Sequence, residues 1–396
     1  MKKILLITSL YPTEDIQIKN NTAVCHYFAK EWIAMGYMVR VVNLYNIYPA
    51  VLYPLLHIAK SILADRTGFA IMDKRLTDDH DYEMDGIKIT RMPAYKRMPH
   101  GDFSETVILT LVDKITKLLQ KEQFEPDYIL GHFILPNIRV VAALKEQFPN
   151  AITTISLHGE ETKLIPSVLS CLPKIDYVGY RSYPIKRSFE AIYGEKPYFM
   201  CMSGVPAEYI CSSPKQFENG IHKYIYVGSF MRRKYPSCLI PAISENHPKK
   251  DFIITYVGDG NGIKDIHQVA KQQHVIDNII FTGRINRSDI TSKLDSHEVF
   301  IMISKNETFG LVWLEAMSRG CITIASRGEG MEGIIKNGEN GFLCNAGDSN
   351  ELSKIIENVK KMDTKALQRI SANAIETAKS MTDHKMAEQY INGIEH

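Results

Sequence analysis

The residues whose types and spacing promise the most chemistry lie between Ser304 and Gly320, in the run SKNETFGLVWLEAMSRG. A short apolar strand candidate, Val299–Ile303, ends in polar residues. Glu307-Thr308-Phe309-Gly310 then leads into Leu311–Met317, a strong helix former. A glycine at the helix start, Gly310, lets a ligand approach the backbone closely. The first N–H groups, those of Gly310, Leu311 and Val312, have no partner inside a helix. With the helix dipole they make a place for an anion such as phosphate. Glu307 and Glu315 flank that place. At about 1.5 Å of rise per residue, Glu315 lies roughly 7 Å down the helix while Glu307 stays in the loop. Carboxylates only accept hydrogen bonds, which suits hydroxyl groups. An anion site between two such acceptors has the outline of ribose, diphosphate and hexose, the parts of a nucleotide sugar.

Other candidates stand at strand ends, where α/β sheets bind ligands. Arg232-Arg233-Lys234 follows a strand candidate at Lys223–Val227, and Lys234 is suited to a leaving diphosphate. His132 and His158 each follow a β-type run, and Gly159 leaves room for a backbone approach beside His158. Gly328, Gly330 and Gly333 spell GxGxxG after Ile322–Ala325. A dinucleotide fold carries that motif in its first βαβ unit, whereas the first strand here runs into Ser9-Leu10-Tyr11-Pro12 without a glycine.

Positioning these residues requires alternating strands and helices, and the pattern supplies them. Strands are expected at Lys3–Thr8, Val39–Leu44, Ile87–Met92, Asp127–His132, Ile152–Leu157 and Tyr177–Tyr180, with helices at Thr22–Met35, Ser104–Lys121, Ile138–Gln147 and Pro184–Tyr193. A second series runs through Lys223–Val227, Phe252–Val257, Ile279–Thr282, Val299–Ile303 and Ile322–Ala325. Two α/β units with parallel sheets follow, with Cys211–Gly220 as a turn-rich linker. Tyr45–Leu63 interrupts the rhythm with aromatic and aliphatic residues, either packed on its own domain or meeting a membrane or apolar acceptor. Asp78–Asp81 reads as a solvated polar stretch.

The 396 residues, 45% hydrophobic and 23% charged with a net charge of +2, exclude a disordered chain and leave no basic excess for nucleic acid. The seven cysteines are scattered and odd in number, unlike a disulfide framework or a zinc site, which suggests a reducing compartment. Lys2–Ile7 opens like a signal peptide but stops at Tyr11-Pro12 without a cleavage site, so a first buried strand is expected. No apolar run is long enough to span a bilayer. A soluble, cytoplasmic protein is the expectation, with Tyr45–Leu63 either packed on its own domain or in peripheral contact with the inner membrane face.

Glu307, seven intervening residues and Glu315, together with Phe309-Gly310 and Leu314-Glu315-Ala316-Met317, resemble the signature of retaining GT-B glycosyltransferases of family four, glycosyl transferases group 1. Tyr226-Val227-Gly228 with Lys234, Val257–Gly260, Phe281–Arg284 and Asn337–Leu343 are similar to further landmarks of that family, in order. His132 with Pro136-Asn137, and Thr154–Leu157 before His158-Gly159, match more loosely. The resemblance implies an α/β GT-B fold, two Rossmann-like domains facing each other across a cleft. Residues 1–205 would be the acceptor side, completed by a C-terminal helix at 381–396, and 206–380 would bind the nucleotide sugar.

The same resemblance implies roles. Glu307, His158 and Lys234 would be catalytic. Glu315 would hold the ribose, and Phe309, Gly310, Leu311, Gly228, Ser229, Arg233, Gly258 and Arg284 would line the donor site. Asn21, Thr22 and His132 would lie on the acceptor side. It implies neither metal nor cofactor, a nucleotide diphosphate sugar as donor, and a glycan or lipid-linked acceptor in cell-surface polysaccharide or glycolipid synthesis. Departures from the family pattern are Ser229 where an arginine is usual, which Arg232 or Arg233 would replace; Tyr235 in place of a glycine; and Lys19–Thr22 in place of a glycine-bearing loop. No pair of residues suggests a double-displacement nucleophile and acid, so a front-face transfer with retention is expected. A sugar-nucleotide 2-epimerase of similar fold, and a non-catalytic partner subunit, are the alternative readings.

Overall fold

In the computed structural model, which describes residues 1–18, 21–67, 70–98, 101–159 and 164–395, the chain forms two compact units. The first comprises Met1–Arg181, Ile185–Met202 and Met386–His396, and the second Ser182–Pro184 and Ser203–Lys385.

Among the described residues of the first unit, the strands are β1 (Lys3–Thr8), β2 (Met38–Ile47), β3 (His80–Met84), β4 (Ile87–Tyr95), β5 (Tyr128–His132), β6 (Ile152–Leu157), β7 (Tyr177–Tyr180) and β8 (Tyr198–Met200). They lie in the order β3-β4-β2-β1-β5-β6-β7-β8, and only the β3–β4 pair is antiparallel. Ile4, Leu5, Leu6 and Ile7 of β1 are all fully buried, the mark of a central parallel strand covered on both faces. Helices Val24–Ala34, Glu105–Lys121 and Asn137–Gln147 form the crossovers.

Three expectations for this half and its border need correction or completion. Asp78–Asp81 is exposed as expected, but its end is built into the sheet: His80–Met84 pairs with β4, and Asp79 takes the Lys114 ammonium at 2.9 Å. The hairpin turns at Asp85-Gly86, both at positive φ (51° and 76°), the dipeptide that a two-residue hairpin turn favours. Tyr45–Ile47 is the end of β2, with Tyr45 and Ile47 buried against Ile16 and Met72. The helix Tyr53–Thr67 follows it. Finally, Cys211–Gly220 is no loose linker. Phe217 is buried, Cys211 N donates to Ser318 O at 3.0 Å, and Lys215 N donates to Ser371 Oγ at 3.0 Å.

The second unit's strands are β9 (Lys223–Val227), β10 (Ile253–Val257), β11 (Ile279–Gly283), β12 (Val299–Met302), β13 (Ile322–Ser326) and β14 (Phe342–Cys344). They are parallel throughout, in the order β11-β10-β9-β12-β13-β14. Strand order reverses between β1 and β5 in the first sheet and between β9 and β12 in the second. Open α/β sheets bind ligands beyond the carboxyl ends of such neighbours, because the crossovers there diverge and leave a crevice.

The helix Asp383–Glu395 spans the border between the units, and from Met386 onward it belongs to the first. Tyr390 is fully buried, 5.1 Å from the Trp32 ring and 4.4 Å from Phe199, centroid to centroid. Its hydroxyl lies 3.0 Å from Ser156 Oγ, and Trp32 Nε1 donates to Ala387 O at 3.2 Å. No helix among the described residues is long and apolar enough to cross a membrane.

Candidate functional site

The carboxyl ends of β9 and β12 carry the charged cluster. After β9 the chain needs glycine: Gly228 sits at φ +154°, and a Cβ on Gly258, beyond β10, would lie 2.0 Å from the Gly228 carbonyl oxygen. This close approach lets the two strand ends pack edge to edge, and it places Gly258 beside Gly228. One 3-10 turn, Arg232–Lys234, follows. Tyr235 then takes the left-handed conformation (φ +46°), so this side chain occupies the backbone state for which a glycine is usual. Its ring packs so tightly on Gly347 that a Cβ there would come within 2.8 Å.

The turn aims two cations at one carboxylate. Lys234 Nζ lies 2.7 Å and Arg233 Nη1 3.1 Å from Glu307 Oε1. Arg233 Nη1 also donates to the carbonyls of Lys305 and Asn306, both at 3.1 Å, while Lys305 N donates to Arg233 O at 2.7 Å. The turn after β9 and the loop after β12 are thereby tied into one piece. Between the two candidates for the missing arginine, Arg233 stands in the cluster and Arg232 is exposed. Burial pushes the Glu307 carboxyl up, but Lys234 and then Arg233 outweigh it and hold it below the usual carboxylate range. Glu307 N donates to Glu329 Oε2 at 2.8 Å, a contact that sequence spacing did not suggest.

Beyond Glu307, Phe309 is buried and Gly310 takes φ +80° as the residue before the helix Leu311–Ser318. A Cβ at Gly310 would fall 2.0 Å from the Trp313 ring, and one at Gly330 would fall 2.5 Å from the Phe309 backbone. The GxGxxG run thus supports the loop beneath Phe309 by close packing. Glu315 is buried on this helix, and its Oε1 accepts from Arg287 Nε at 2.8 Å. Arg287 was not singled out by the sequence; its only signal is a cation at the start of the helix Arg287–Asp295. Tyr226 Oη donates to Ser229 O at 3.0 Å, fixing the backbone where the family's arginine is absent. Arg284 is exposed beyond β11, the edge strand, and is not gathered into the Glu307 cluster.

The family model described as "Glycosyl transferases group 1" matches residues 213–377, which contain every one of these contacts. Residues 213–377 are a glycosyl transferases group 1 domain. Similar curated proteins include N-acetyl-alpha-D-glucosaminyl L-malate synthase of Bacillus anthracis, 24% identical over 263 residues, 61% of this chain and 66% of that protein. The lipopolysaccharide core biosynthesis glycosyltransferase LpsE of Rhizobium meliloti is 29% identical over 133 residues, 34% of this chain and 38% of that protein. The matches therefore span less than two thirds of either relative's own length. Among solved structures, sucrose-phosphate synthase from Thermosynechococcus elongatus is similar over 99% of this chain and 98% of its own, with TM-score 0.70 and 18% identity. Anabaena HepE in complex with UDP is similar over 100% of both chains, with TM-score 0.69 and 17% identity. The whole chain has the GT-B fold.

Outside the group 1 domain, the first unit gathers its own candidates at the β1–β5 switch point. His132 Nδ1 lies 2.9 Å from His158 Nε2, and Phe133 stacks on His158 at 4.0 Å. Asn21 and Thr22 are tied to each other and to the loop after β1. Asn21 Nδ2 donates to Tyr11 O at 3.0 Å, and its Oδ1 takes the Thr22 amide at 2.9 Å. That amide is therefore engaged locally, and Ala23 stands at the N-cap of the helix Val24–Ala34. Lys19 and Asn20 lie outside the described residues.

Burial, and then the Arg181 guanidinium, push His132 down to about 3 and His158 well below its usual value. Both imidazoles are thus neutral in the fold while an unfolded chain protonates them near pH 6.5. The unfolded state binds more protons below that pH, so stability is fully present above about pH 6.5 and falls as the pH drops toward 3. The expected loss is up to about 1.4 kcal/mol per pH unit for each histidine. Urea midpoints at pH 7, 6 and 5 should fall less steeply for His132→Asn than for the wild type. Parallel slopes would show that His132 is accessible to protons in the fold.

Proposed function

We propose that the chain is a retaining, metal-independent hexosyltransferase that moves a sugar from a nucleotide diphosphate donor to a cell-surface glycan or lipid-linked acceptor. The observation that carries this reading is the cluster of Lys234, Arg233 and Glu307 at the β9–β12 switch point, next to the helix start at Gly310. Two cations and a helix N-terminus suit a diphosphate, and they supply leaving-group stabilisation of the kind a metal gives elsewhere. The donor's diphosphate would draw Lys234 and Arg233, releasing Glu307 to accept from sugar hydroxyls. Arg287 holds one oxygen of Glu315, which orients the other toward ribose hydroxyls. The complexes of HepE with UDP and with UDP-glucose, and the lipopolysaccharide core relatives, support a nucleotide sugar and a cell-surface product.

In a front-face transfer the bond from the anomeric carbon to the diphosphate oxygen breaks, and the bond to the acceptor oxygen forms on the same face. The departing phosphate oxygen takes the acceptor's proton. The test is a panel of uridine, guanosine and adenosine diphosphate sugars read by thermal shift, followed by product stereochemistry with the stabilising donor. One donor class should raise Tm in the wild type, and Glu315→Gln should reduce that shift, measured against the variant's own ligand-free Tm. No stabilisation by any donor would favour a non-catalytic partner subunit. An inverted product, or activity restored only by magnesium after chelation, would overturn the mechanism. Donor isomerisation without transfer would favour the 2-epimerase.

The acceptor side includes a candidate lipid contact. Leu55 and Ile58, at i and i+3 on the helix Tyr53–Thr67, are 66% and 79% exposed, and Val51 in the preceding 3-10 turn adds a third apolar side chain at 80%. Each apolar side chain left in water forgoes roughly 1.5–3 kcal/mol, so three such side chains suit a surface that covers them. Peripheral, salt-sensitive membrane binding through these side chains is expected. Anionic liposomes should sediment the wild type at low salt and leave Leu55→Ser/Ile58→Ser in the supernatant. Equal sedimentation of the two would remove these side chains from the acceptor side.

A further inference from the structure

The amino ends of β9 and β10, at the opposite end of the sheet from Lys234 and Glu307, carry a second cluster of side chains. His222 immediately precedes β9, Asp251 lies just before β10, and the two strands pair with Lys223 beside Ile253. His247 follows the helix Leu239–Glu245. A tight turn, in which Lys250 at φ +55° donates its amide to His247 O at 2.8 Å, folds Asp251 back onto that imidazole. His247 Nδ1 is 2.9 Å from Asp251 Oδ1, and His222 Nδ1 is 3.5 Å from Asp251 Oδ2. One ligand atom from each of the three residues lies within 4.8 Å of the other two.

We propose that His222, His247 and Asp251 form a binding site for a zinc-like divalent transition-metal ion, separate from the donor site. Zinc holds imidazole nitrogen and carboxylate oxygen at about 2.0–2.2 Å, so neighbouring ligands of a tetrahedral ion stand about 3.3–3.5 Å apart. His247 faces Asp251 Oδ1 at 2.9 Å and His222 faces Oδ2 at 3.5 Å, and the three ligand atoms stand within 4.8 Å of one another, so gathering them on one ion takes shifts of up to about an ångström and exchanges the 2.6 Å contact of His222 Nδ1 with the Asp251 carbonyl for the metal.

The surroundings fit as well. His247 Nε2 lies 2.9 Å from the Tyr224 hydroxyl, which can accept the ring proton once Nδ1 turns to a metal. Ligating histidines are commonly anchored through the other nitrogen in this way. Phe252 and Tyr224 hold the ring, with centroids at 5.3 and 5.7 Å. His222 and Asp251 side chains are 42% and 49% exposed, which opens a fourth position to water. The neighbouring charges are Glu298, whose carboxylate accepts from the His222 amide at 3.2 Å, and Lys360, whose ammonium donates to Asn246 O. Cys25, His132 and His158 also come within 4.8 Å of one another, but there Arg181 already supplies a positive charge that opposes a cation.

Full-length chain stripped with a chelator is titrated with zinc chloride by calorimetry, and with cobalt(II) chloride by absorption spectroscopy, which reads tetrahedral coordination. One saturating zinc ion per chain at this site is expected to weaken at least tenfold in His222→Ala and in Asp251→Asn, and roughly tenfold in Tyr224→Phe. His222 and Asp251 are half exposed, and the metal-free Tm of each variant verifies its fold. Absence of saturable zinc binding in the wild type overturns the proposal. So does binding that persists unchanged in both His222→Ala and Asp251→Asn. No nucleotide sugar is present in the titration, so the outcome is independent of transfer activity.

Discussion

Lys234→Ala is expected to lower kcat/KM for transfer by roughly 30- to 1,000-fold, about 2–4 kcal/mol of transition-state stabilisation. Lys234 stands 2.7 Å from Glu307 and is largely buried, where a charge acts at lower dielectric than in water. Its removal takes away the cation nearest to the proposed leaving diphosphate. It also leaves Glu307 with Arg233 as its remaining cation in the cluster, so the carboxyl pKa rises and the acid limb of the pH–rate profile moves toward neutrality. Steady-state kinetics across pH checks both consequences. A rate within twofold of the wild type, with an unmoved acid limb, would reduce Lys234 to a partner of Glu307 in the resting protein.

The second large effect is expected at Gly310, through the backbone. In Gly310→Ala the new methyl would sit 2.0 Å from the Trp313 ring, which is fully buried and fixed by Nε1 donating to Met302 O at 3.1 Å. Left-handed backbone costs a non-glycine residue about 1–2 kcal/mol, and forcing a methyl into a packed core costs about 1–3 kcal/mol more. A fall in Tm on the order of 10 °C follows for a unit of this size. The helix start would move with the strain, so donor-induced stabilisation should disappear even at temperatures where the variant remains folded. An unchanged Tm would mean that Trp313 has room to turn aside.

Much of this architecture was legible because buried parallel strands are written in unbroken β-branched and aliphatic runs. Lys3–Thr8, Ile152–Leu157 and Lys223–Val227 have the bounds that their sequence suggests. Shorter or more polar strands were not legible. Tyr198–Met200 and Phe342–Cys344 are three residues each, too short for a periodic signal, and His80–Met84 hides its alternation behind neighbouring aspartates. The Asp85-Gly86 turn was the available clue.

At the site, the loop from Glu307 to Gly310 was readable because glycine, carboxylates and a helix former coincide in one short segment. The choice between Arg232 and Arg233 was not, since it depends on the phase of a single 3-10 turn. Glu329 and Arg287 were missed for a related reason. Their contacts to Glu307 and Glu315 bridge 22 and 28 positions, and no local pattern encodes a pairing at that range.

The helix Asp383–Glu395 has a consequence for how the chain is made. A ribosome delivers residues 203–385 before Met386 emerges, so the second unit can close its core while the first still lacks Tyr390. Vectorial synthesis ordinarily lets the N-terminal unit finish first. In the first unit, Trp32 and Phe199 gain the Tyr390 ring only after the last helix has been made. Sealing of the first-made sheet at these rings thus depends on a segment synthesised after the whole of the second unit.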